Sequence, residues 1–309
     1  MRLQGFLYTI AGACLLGLGA VLTKLVAGLA NPFLVLFLAL LIGGFFIALF
    51  LLARRQSLLL ALSRSAWVDM FLLSGLGTAL PLVLLIFGLT STSVVTGGFL
   101  LQLQGPAGII FACLLLREKL TRKQGTGTIL LMIGSIIVIL GGNQIISWQT
   151  SIQGDLLISM AALGFGYSFI PAKRLCLQIG PLQISSLRLF LSACLIIPFL
   201  FFQSSVIKVS FSLSVFWILL LYGLTNFGLG YIALQEGLSR LPAWASAAIL
   251  QTIPIFATAF AIILLQDTLS FIQIIGGIIV IAGGIIVVSG EAFPKRFSGI
   301  FGRNLAEMP

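Results

Sequence analysis

The sequence predicts an all-α integral membrane protein whose ten transmembrane helices form two inverted five-helix repeats. Three observations predict this architecture: an apolar composition, ten apolar segments of membrane-spanning length, and an internal duplication. Of the 309 residues, 60% are hydrophobic and only 8% are charged, and the mean hydropathy is +1.21. A soluble protein of this length would need a polar surface that this composition does not supply.

Ten apolar segments follow one another along the chain, and each approaches the roughly 20 residues that an α-helix needs to span a bilayer core. The strands of a membrane β-barrel would be about half as long and would alternate polar with apolar residues, which these segments do not do. The segments therefore predict transmembrane helices. They cover residues 6–26, 33–53, 67–90, 94–116, 124–142, 155–172, 182–202, 215–235, 244–265 and 271–289.

The duplication is clearest between residues 104–134, QGPAGIIFACLLLREKLTRKQGTGTILLMIG, and residues 252–283, TIPIFATAFAIILLQDTLSFIQIIGGIIVIAG. A shift of 149 residues places polar positions and prolines of the first copy on similar residues of the second: Glu118 on Asp267, Thr121 on Ser270, Gln124 on Gln273, Lys24 on Lys173 and Pro32 on Pro181. We predict a first repeat over 5–141, a second over 154–289 and a cytoplasmic tail over 290–309. Because each repeat has an odd number of spans, the second enters the membrane upside down.

The 17 basic residues are distributed unevenly between the two sides of the predicted membrane. With the N-terminus inside, 14 fall on the inner side, Lys24 and Lys208 fall outside, and Arg188 lies within a span. Basic residues concentrate on the cytoplasmic side of membrane proteins. We therefore predict a multi-pass cell-membrane protein with both termini cytoplasmic and the linker near Trp148 outside. The net charge of +10 then reflects topology and contact with the lipid bilayer, and it gives no support for binding to nucleic acid.

Each half has a proline in its fourth span, then an acid-x-Leu-Thr/Ser motif and a Gly-x6-Gly fifth span. These features resemble the EamA-type members of the drug/metabolite transporter superfamily, over about residues 5–289 and most specifically from Glu118 to Gly134. The resemblance implies two EamA-like repeats that transport small organic metabolites, such as amino acids, nucleotides or sugars. Members also often carry an arginine in the second span of a half, where Arg188 fits and Ala39 does not.

Inverted repeats are typical of secondary transporters, in which a substrate site between the repeats opens alternately to the two sides. The alternative is a non-transporting membrane protein, either receptor-like or an integral-membrane enzyme. Enzyme chemistry has little support, because histidine is absent and the four cysteines (Cys14, Cys113, Cys176 and Cys194) lie in spans or at their ends. We expect a small-molecule substrate but no catalytic residue, no metal and no cofactor; the sequence leaves a homo-oligomer open.

Three prolines, Pro81, Pro106 and Pro254, fall in the middle of predicted spans. Proline lacks an N–H group and tends to kink a helix, which frees the carbonyl four residues earlier. In hydrocarbon such carbonyls need partners, so these breaks are tolerated where protein or water satisfies them. We predict hinges around a central cavity, with kinks that serve packing alone as the alternative.

Polar side chains recur at similar depth in both repeats. Ser74 and Thr78 share one face of span three, and a shift of 148 places them on Tyr222 and Asn226 of span eight. Hydrogen bonds between helices explain any one of these residues, but a repeated stripe favours substrate binding. The predicted substrate-binding residues are Ser74, Thr78, Gln102, Gln104, Arg188, Tyr222, Asn226, Gln251 and Thr252.

Arg188 is the one charge that lies well within a predicted span, about seven residues from Pro181. A basic residue there is costly unless it faces a partner or a cavity, so we expect it to bind an anionic group such as a substrate carboxylate. Snorkelling to the inner surface and an ion pair with Glu236 are the alternatives.

The seven acidic residues all fall at the ends of predicted spans or in loops. A proton-driven carrier usually needs a carboxylate or a histidine deep in the membrane. The sequence therefore favours facilitated transport or exchange, with the substrate gradient setting the direction.

Overall fold

The computed structural model describes residues 2–26, 31–56, 62–92, 94–141, 151–201, 213–266 and 270–289. Their regular structure is helical, and no strand occurs within these ranges. In this part of the chain, nine helices are long and apolar enough to cross a membrane, and a shorter apolar helix, Phe271–Val287, follows them. The predicted all-α architecture of ten transmembrane helices is confirmed. The predicted tail and the linker residue Trp148 lie outside the described residues.

The transmembrane helices, which we number α1 to α10, begin and end within five residues of the predicted spans. Several of them consist of two or three consecutive helical pieces. Their bounds are α1 Arg2–Val26, α2 Pro32–Ala53, α3 Arg64–Ser74 with Gly75–Ala79 and Leu80–Leu89, α4 Val94–Leu101 and Gln104–Leu115, α5 Arg122–Leu140, α6 Ile152–Tyr167 and Phe169–Leu175, α7 Pro181–Leu200, α8 Leu213–Tyr222 with Gly223–Leu229 and Gly230–Arg240, α9 Ala243–Ile249 with Leu250–Thr252 and Ile253–Leu265, and α10 Phe271–Ser289.

Asp69 and Glu236, predicted at span ends, lie inside helices α3 and α8. Both stay near helix ends, since Asp69 is five residues from the first residue of α3 and Glu236 is four residues from the last residue of α8. Each acid is paired there with an arginine: Asp69 with Arg174 at 3.6 Å, and Glu236 with Arg240.

In both repeats, the repeated polar motif supplies the same N-terminal cap to the helix that follows it, α5 in the first repeat and α10 in the second. Thr121 Oγ1 accepts a hydrogen bond from Gln124 N at 3.3 Å, and Gln124 Oε1 accepts one from Thr121 N at 2.9 Å. Ser270 and Gln273 make the corresponding bonds at 3.2 and 3.0 Å. Such a capping box satisfies amide groups that have no partner within the helix, so these residues fix where α5 and α10 begin.

Helices α5 and α10 pack in antiparallel orientation through glycines. A Cβ added to Gly127 would lie 2.9 Å from Gly283 O, and one added to Gly134 would lie 2.8 Å from Gly276 O. A shift of 149 carries Gly127 to Gly276 and Gly134 to Gly283, so each contact is the symmetry copy of the other. The repeats are therefore related by a pseudo-two-fold axis in the membrane plane, and these glycines serve close packing.

The two repeats are interleaved. Helix α2 packs on α7, α4 on α9 and α5 on α10, whereas α1 packs on α8 and α3 on α6. Because successive helices alternate in direction, residues 54–56, 62–63, 116–121, 176–180 and 241–242 lie at one end of the bundle. We name this end the basic face, since its loops carry Arg54, Arg55, Arg117 and Lys119, and we name the other end the opposite face.

Candidate functional site

Helices α3 and α8 contain π-helical turns at equivalent positions, Gly75–Ala79 and Gly223–Leu229. π-Helix is rare and frequently occurs at functional sites. Pro81 follows the turn in α3, but the equivalent position in α8 has no proline. The break is therefore a property of both repeats and does not require proline. These turns carry Thr78 and Asn226, two of the predicted substrate-binding residues.

Arg188 of α7 is buried against α3 and α8, with 4% of its surface exposed. Its Nε donates to Thr78 Oγ1 at 2.6 Å, and its Nη2 donates to Gly77 O at 3.2 Å. The guanidinium carbon lies 4.7 Å from the centre of the Tyr231 ring, which is a cation–π distance. Gly77 O is the carbonyl that the α3 proline frees, so Arg188 supplies the partner that this carbonyl was predicted to need.

No carboxylate pairs with Arg188 among the described residues. The ion pairs in this part of the chain are Arg174–Asp69 and Arg240–Glu236. The predicted alternative of an Arg188–Glu236 pair is wrong, because Glu236 binds Arg240 one helical turn away. Snorkelling is excluded as well, because the guanidinium is held between α3 and α8. A buried charge is stabilised mainly by an opposite charge, and the neutral groups around Arg188 do not supply one.

Three aromatic rings of α8 form a wall beside Arg188. The ring centres of Tyr222 and Phe227 lie 5.5 Å apart, as do those of Phe227 and Tyr231. The sequence predicted Tyr222 but missed Phe227 and Tyr231. The available signal was that α8 contains two of the four tyrosines of the chain. Asn226 contacts Gly19 of α1, where an added Cβ would lie 2.1 Å from Asn226 Oδ1.

Gln102 and Gln251 occupy equivalent positions and meet where α4 and α9 pack together. Gln251 Nε2 donates to Gln102 O at 3.1 Å, the carbonyl that Pro106 frees, and Ser135 Oγ donates to Gln251 O. The Oε1 atoms of both glutamines are buried without a hydrogen-bond partner among the described residues. Buried acceptors without partners are rare in proteins, so these two oxygens are candidates for binding a donor.

The two later prolines do not kink continuous helices. Helix α4 is interrupted before Gln104–Leu115, and α9 has a 3₁₀ turn before Ile253–Leu265. Pro106 and Pro254 lie in the first turn of these pieces, where a missing N–H group is tolerated. Both prolines therefore begin a new helical piece after a break.

The remaining predicted residues surround these two groups. Ser74 is buried, and its main-chain oxygen accepts a hydrogen bond from Ser192 Oγ at 3.0 Å. Thr252 Oγ1 donates to Ile249 O of its own helix at 2.7 Å. Gln104 is half-buried, with its main-chain oxygen against α6. Contacts thus connect Thr78, Arg188, Tyr231, Phe227 and Tyr222 in one group and Gln102 with Gln251 in another. In the described part of the chain, no cluster of acidic, cysteine or histidine side chains could hold a metal ion.

Equivalent residues at the two faces differ in exposure. Leu238 in α8, near the basic face, is 1% exposed, whereas its counterpart Leu89 at the opposite face is 37% exposed. Residues 247–250 of α9 are buried, whereas their counterparts 98–101 of α4 are only partly buried. If both repeats had the same conformation, the two equivalent leucines would expose equal fractions of their surfaces, even if that exposure were to lipid. At these positions the basic face is the more tightly packed of the two, and we call it closed on that ground.

A model of the EamA-like transporter family matches the chain twice, over residues 3–140 and 152–289. The chain belongs to the EamA-like transporter family. This confirms the resemblance that the repeated motifs predicted, and it makes the chain a multi-pass membrane transporter.

Relatives of this EamA-family protein include the uncharacterized transporter YetK of Bacillus subtilis, which is 25% identical over 213 residues, or 67% of this chain. The match spans 64% of the length of YetK. An uncharacterized transporter of Methanothermobacter thermautotrophicus is 21% identical over 295 residues, which cover 90% of this chain and 84% of the relative. A crystal structure of a protein that is 17% identical has the same fold, with a TM-score of 0.82 over 94% of this chain and 98% of that one.

Proposed function

We propose that this EamA-family protein is a secondary carrier that moves small organic metabolites, such as amino acids or related compounds, by alternating access. The observation that supports this best is the unequal burial of equivalent residues at the two faces. Two repeats that hold unequal conformations can exchange them, which opens the closed face and closes the open one. One central site is then exposed to each side in turn.

Arg188 is proposed to bind the anionic group of the substrate, for which a carboxylate is the simplest choice. The buried guanidinium of Arg188 has no counter-charge within the described part of the chain, which matches a ligand group with one negative charge. The wall formed by Tyr222, Phe227 and Tyr231 is buried in this conformation, and we propose that it lines the apolar part of the site when the substrate binds. Binding would then satisfy the guanidinium and bury the substrate in one step.

The amide oxygens of Gln102 and Gln251 are proposed to accept hydrogen bonds from a donor group of the same solute, such as an ammonium group. A carboxylate at Arg188 and an ammonium group at the glutamines would match the two charged ends of an amino acid. The other predicted residues are proposed as further substrate contacts: Ser74, Thr78, Gln104, Tyr222, Asn226 and Thr252. Pro81, Pro106 and Pro254 are proposed as the points at which α3, α4 and α9 change direction during the exchange.

The transport is proposed to be facilitated or to proceed by exchange, so that import or export follows the substrate gradient. A proton-coupled carrier needs a titratable group that both sides can reach. Asp69 and Glu236 lie within helices, but an arginine near the basic face holds each of them. This pairing argues against either acid as the coupling group.

The carrier is proposed to lie in the cell membrane with its basic face and both termini in the cytoplasm. The excess of basic residues in the loops of that face supports this orientation. Reporter fusions after Arg303 test it: a reporter active only in the cytoplasm is expected, and one active outside the cell would contradict the orientation.

Purified protein reconstituted into vesicles tests the carrier and its site. Labelled amino acids and organic acids are expected to enter by exchange with unlabelled solute inside. Arg188→Gln should lower the exchange rate at least about tenfold, because truncating a buried charged group leaves its bound partner unpaired. Lys119→Gln, which removes an exposed charge from the basic face, is the matched control and should exchange at the parental rate.

Two outcomes would contradict these proposals. If Arg188→Gln exchanged anionic solutes at the parental rate, Arg188 would not bind the substrate. If the folded parent protein exchanged no solute at all, the chain would not be a carrier of this class.

A further inference from the structure

Glu118, in the loop between α4 and α5, caps a helix of the other repeat. Its Oε1 accepts a hydrogen bond from Ala243 N at 2.9 Å, and its Oε2 accepts one from Trp244 N at 3.0 Å. These are the first amide groups of α9, whose N-cap residue, Pro242, makes no side-chain cap. A carboxylate at a helix N-terminus is favoured by the free N–H groups and by the helix dipole.

Lys173, near the end of α6, makes the complementary contact with the helix that precedes α9. Its Nζ donates to Leu238 O and to Leu241 O, both at 2.7 Å. These carbonyls lie at the C-terminal end of α8, where a cation is favoured. Gln235 adds a hydrogen bond from its Nε2 to Cys176 Sγ at 3.0 Å.

The two charged side chains therefore hold both sides of the turn at 241–242, which joins α8 to α9. They connect this turn to the α4–α5 loop and to α6 at the face that is closed in the structure. Leu238 and Trp244, which flank the turn, are each 1% exposed. The basic face cannot open between these elements while the four hydrogen bonds remain.

We propose that Glu118 and Lys173, which we name the latch, keep the basic face closed and must release the α8–α9 turn for that face to open. The proposal goes beyond the carrier function. That the latch keeps the basic face closed rests on these contacts alone, whereas the effect of the latch on transport rests on the proposed alternating access.

A latch that opens in every transport cycle must not be too stable. Burial raises the pKa of Glu118, against the opposing effects of the two N–H groups and of nearby Lys173. Desolvation therefore offsets part of the attraction within the pair. Replacing one of the two residues leaves the other charge buried with its main-chain partners but without the opposite charge nearby. Either single substitution should weaken the closed face, and the double substitution should weaken it by less than the sum of both effects.

Cys176, directly after α6, is a native reporter of this contact. Burial raises the pKa of its thiol to about 11, so it should react slowly with maleimides at neutral pH while the face is closed. Replacement of Cys14, Cys113 and Cys194 by serine leaves Cys176 as the only thiol of the chain. When the α8–α9 turn moves away, Gln235 leaves the sulfur and the thiol becomes accessible.

The experiment measures the rate at which a soluble maleimide labels Cys176 in the full chain, in lipid nanodiscs without substrate. Glu118→Gln offers one acceptor to two N–H donors, and Lys173→Met keeps the length of the side chain without its charge. Glu118→Gln should raise the labelling rate about tenfold or more, which is the factor expected from losing a hydrogen bond to a charged group. Lys173→Met should raise it by less, because Lys173 also lowers the pKa of the Cys176 thiol. Lys119→Gln, next to Glu118 in the same loop but exposed, should label at the parental rate.

Parental labelling rates in both latch variants, with unchanged thermal unfolding, would overturn the proposal. So would a double variant whose effect equals the sum of the two single effects, because the two charges would then act independently. Should Glu118→Gln not fold, Glu118→Asp takes its place: its shorter reach must give an intermediate rate, and a parental rate would overturn the latch. Since no solute is present, a failure of the latch and a failure of the carrier proposal are distinguishable.

Discussion

Arg188 combines contacts that only a guanidinium makes at once. Its planar group donates to a hydroxyl and to a main-chain carbonyl while it lies against an aromatic ring. A lysine would keep the charge but would lose the fixed geometry of the two donors and the stacking. We therefore propose that the Tyr231 ring positions the guanidinium for the anionic group proposed to bind there.

Substitutions at Tyr231 separate the ring from its hydroxyl. Tyr231→Leu should raise the KM for an anionic solute by roughly threefold to tenfold, because a cation–π contact contributes about 1 kcal/mol. Tyr231→Phe keeps the ring and should have nearly the parental KM. Exchange kinetics in vesicles measure both variants, and equal KM values for Leu and Phe would contradict the role of the ring.

The sequence identified Arg188 because a charge within an apolar span is rare and costly. It could not identify the partners, since Thr78 is 110 residues away along the chain and a single sequence carries no information about distance. Glu118 is a similar case: its place in a repeated motif was visible, but the backbone amides that it caps belong to the other repeat.

At the scale of helices, each π-helical turn contacts the neighbouring helix through a glycine packed against a larger residue. The glycine belongs to the neighbouring helix in one repeat and to the turn itself in the other. In the second repeat, Asn226 of α8 fills the space beside Gly19 of α1. In the first repeat, Gly77 of α3 makes room for Ser168 of α6, and a Cβ added to Gly77 would lie 2.7 Å from the Ser168 Cβ. A shift of 149 relates the two pairs, so the same space is filled from opposite sides.

Gly19→Ser should destabilise the protein by about 1–3 kcal/mol, the usual effect of overpacking, because the new side chain collides with Asn226. Adding Asn226→Gly recreates the contact of the first repeat and should restore most of the loss. Thermal unfolding in detergent measures both. A double variant no more stable than Gly19→Ser would show that the two packing arrangements are not interchangeable.

Sequence reasoning found the helical irregularities only where proline marked them. It predicted breaks in α3, α4 and α9, but the π-helical turn in α8 contains no proline and was missed. The ends of α3 and α8 were also misplaced, because hydropathy does not follow a helix beyond the apolar core. Glu236, one residue beyond the predicted end of span eight, therefore lies inside α8.

At the scale of the whole molecule, the architecture was predictable and the conformation was not. Duplicated motifs, span count and charge distribution were sufficient for ten helices in two inverted repeats. Two similar repeats do not indicate in their sequences which face is the more tightly packed. That difference is visible only in the folded chain, where Leu238 is 1% exposed and Leu89 is 37% exposed.

Equivalent positions at the two faces test alternating access most directly. Leu89→Cys and Leu238→Cys are placed singly in a chain whose four native cysteines are replaced by serine, and maleimide labelling is followed in vesicles. Without substrate, the cysteine at position 89 should label quickly and that at position 238 slowly, as their exposures of 37% and 1% indicate. During substrate exchange, labelling at 238 should rise while labelling at 89 falls. Continued protection of position 238 during exchange, or a rise at both positions together, would contradict alternating access.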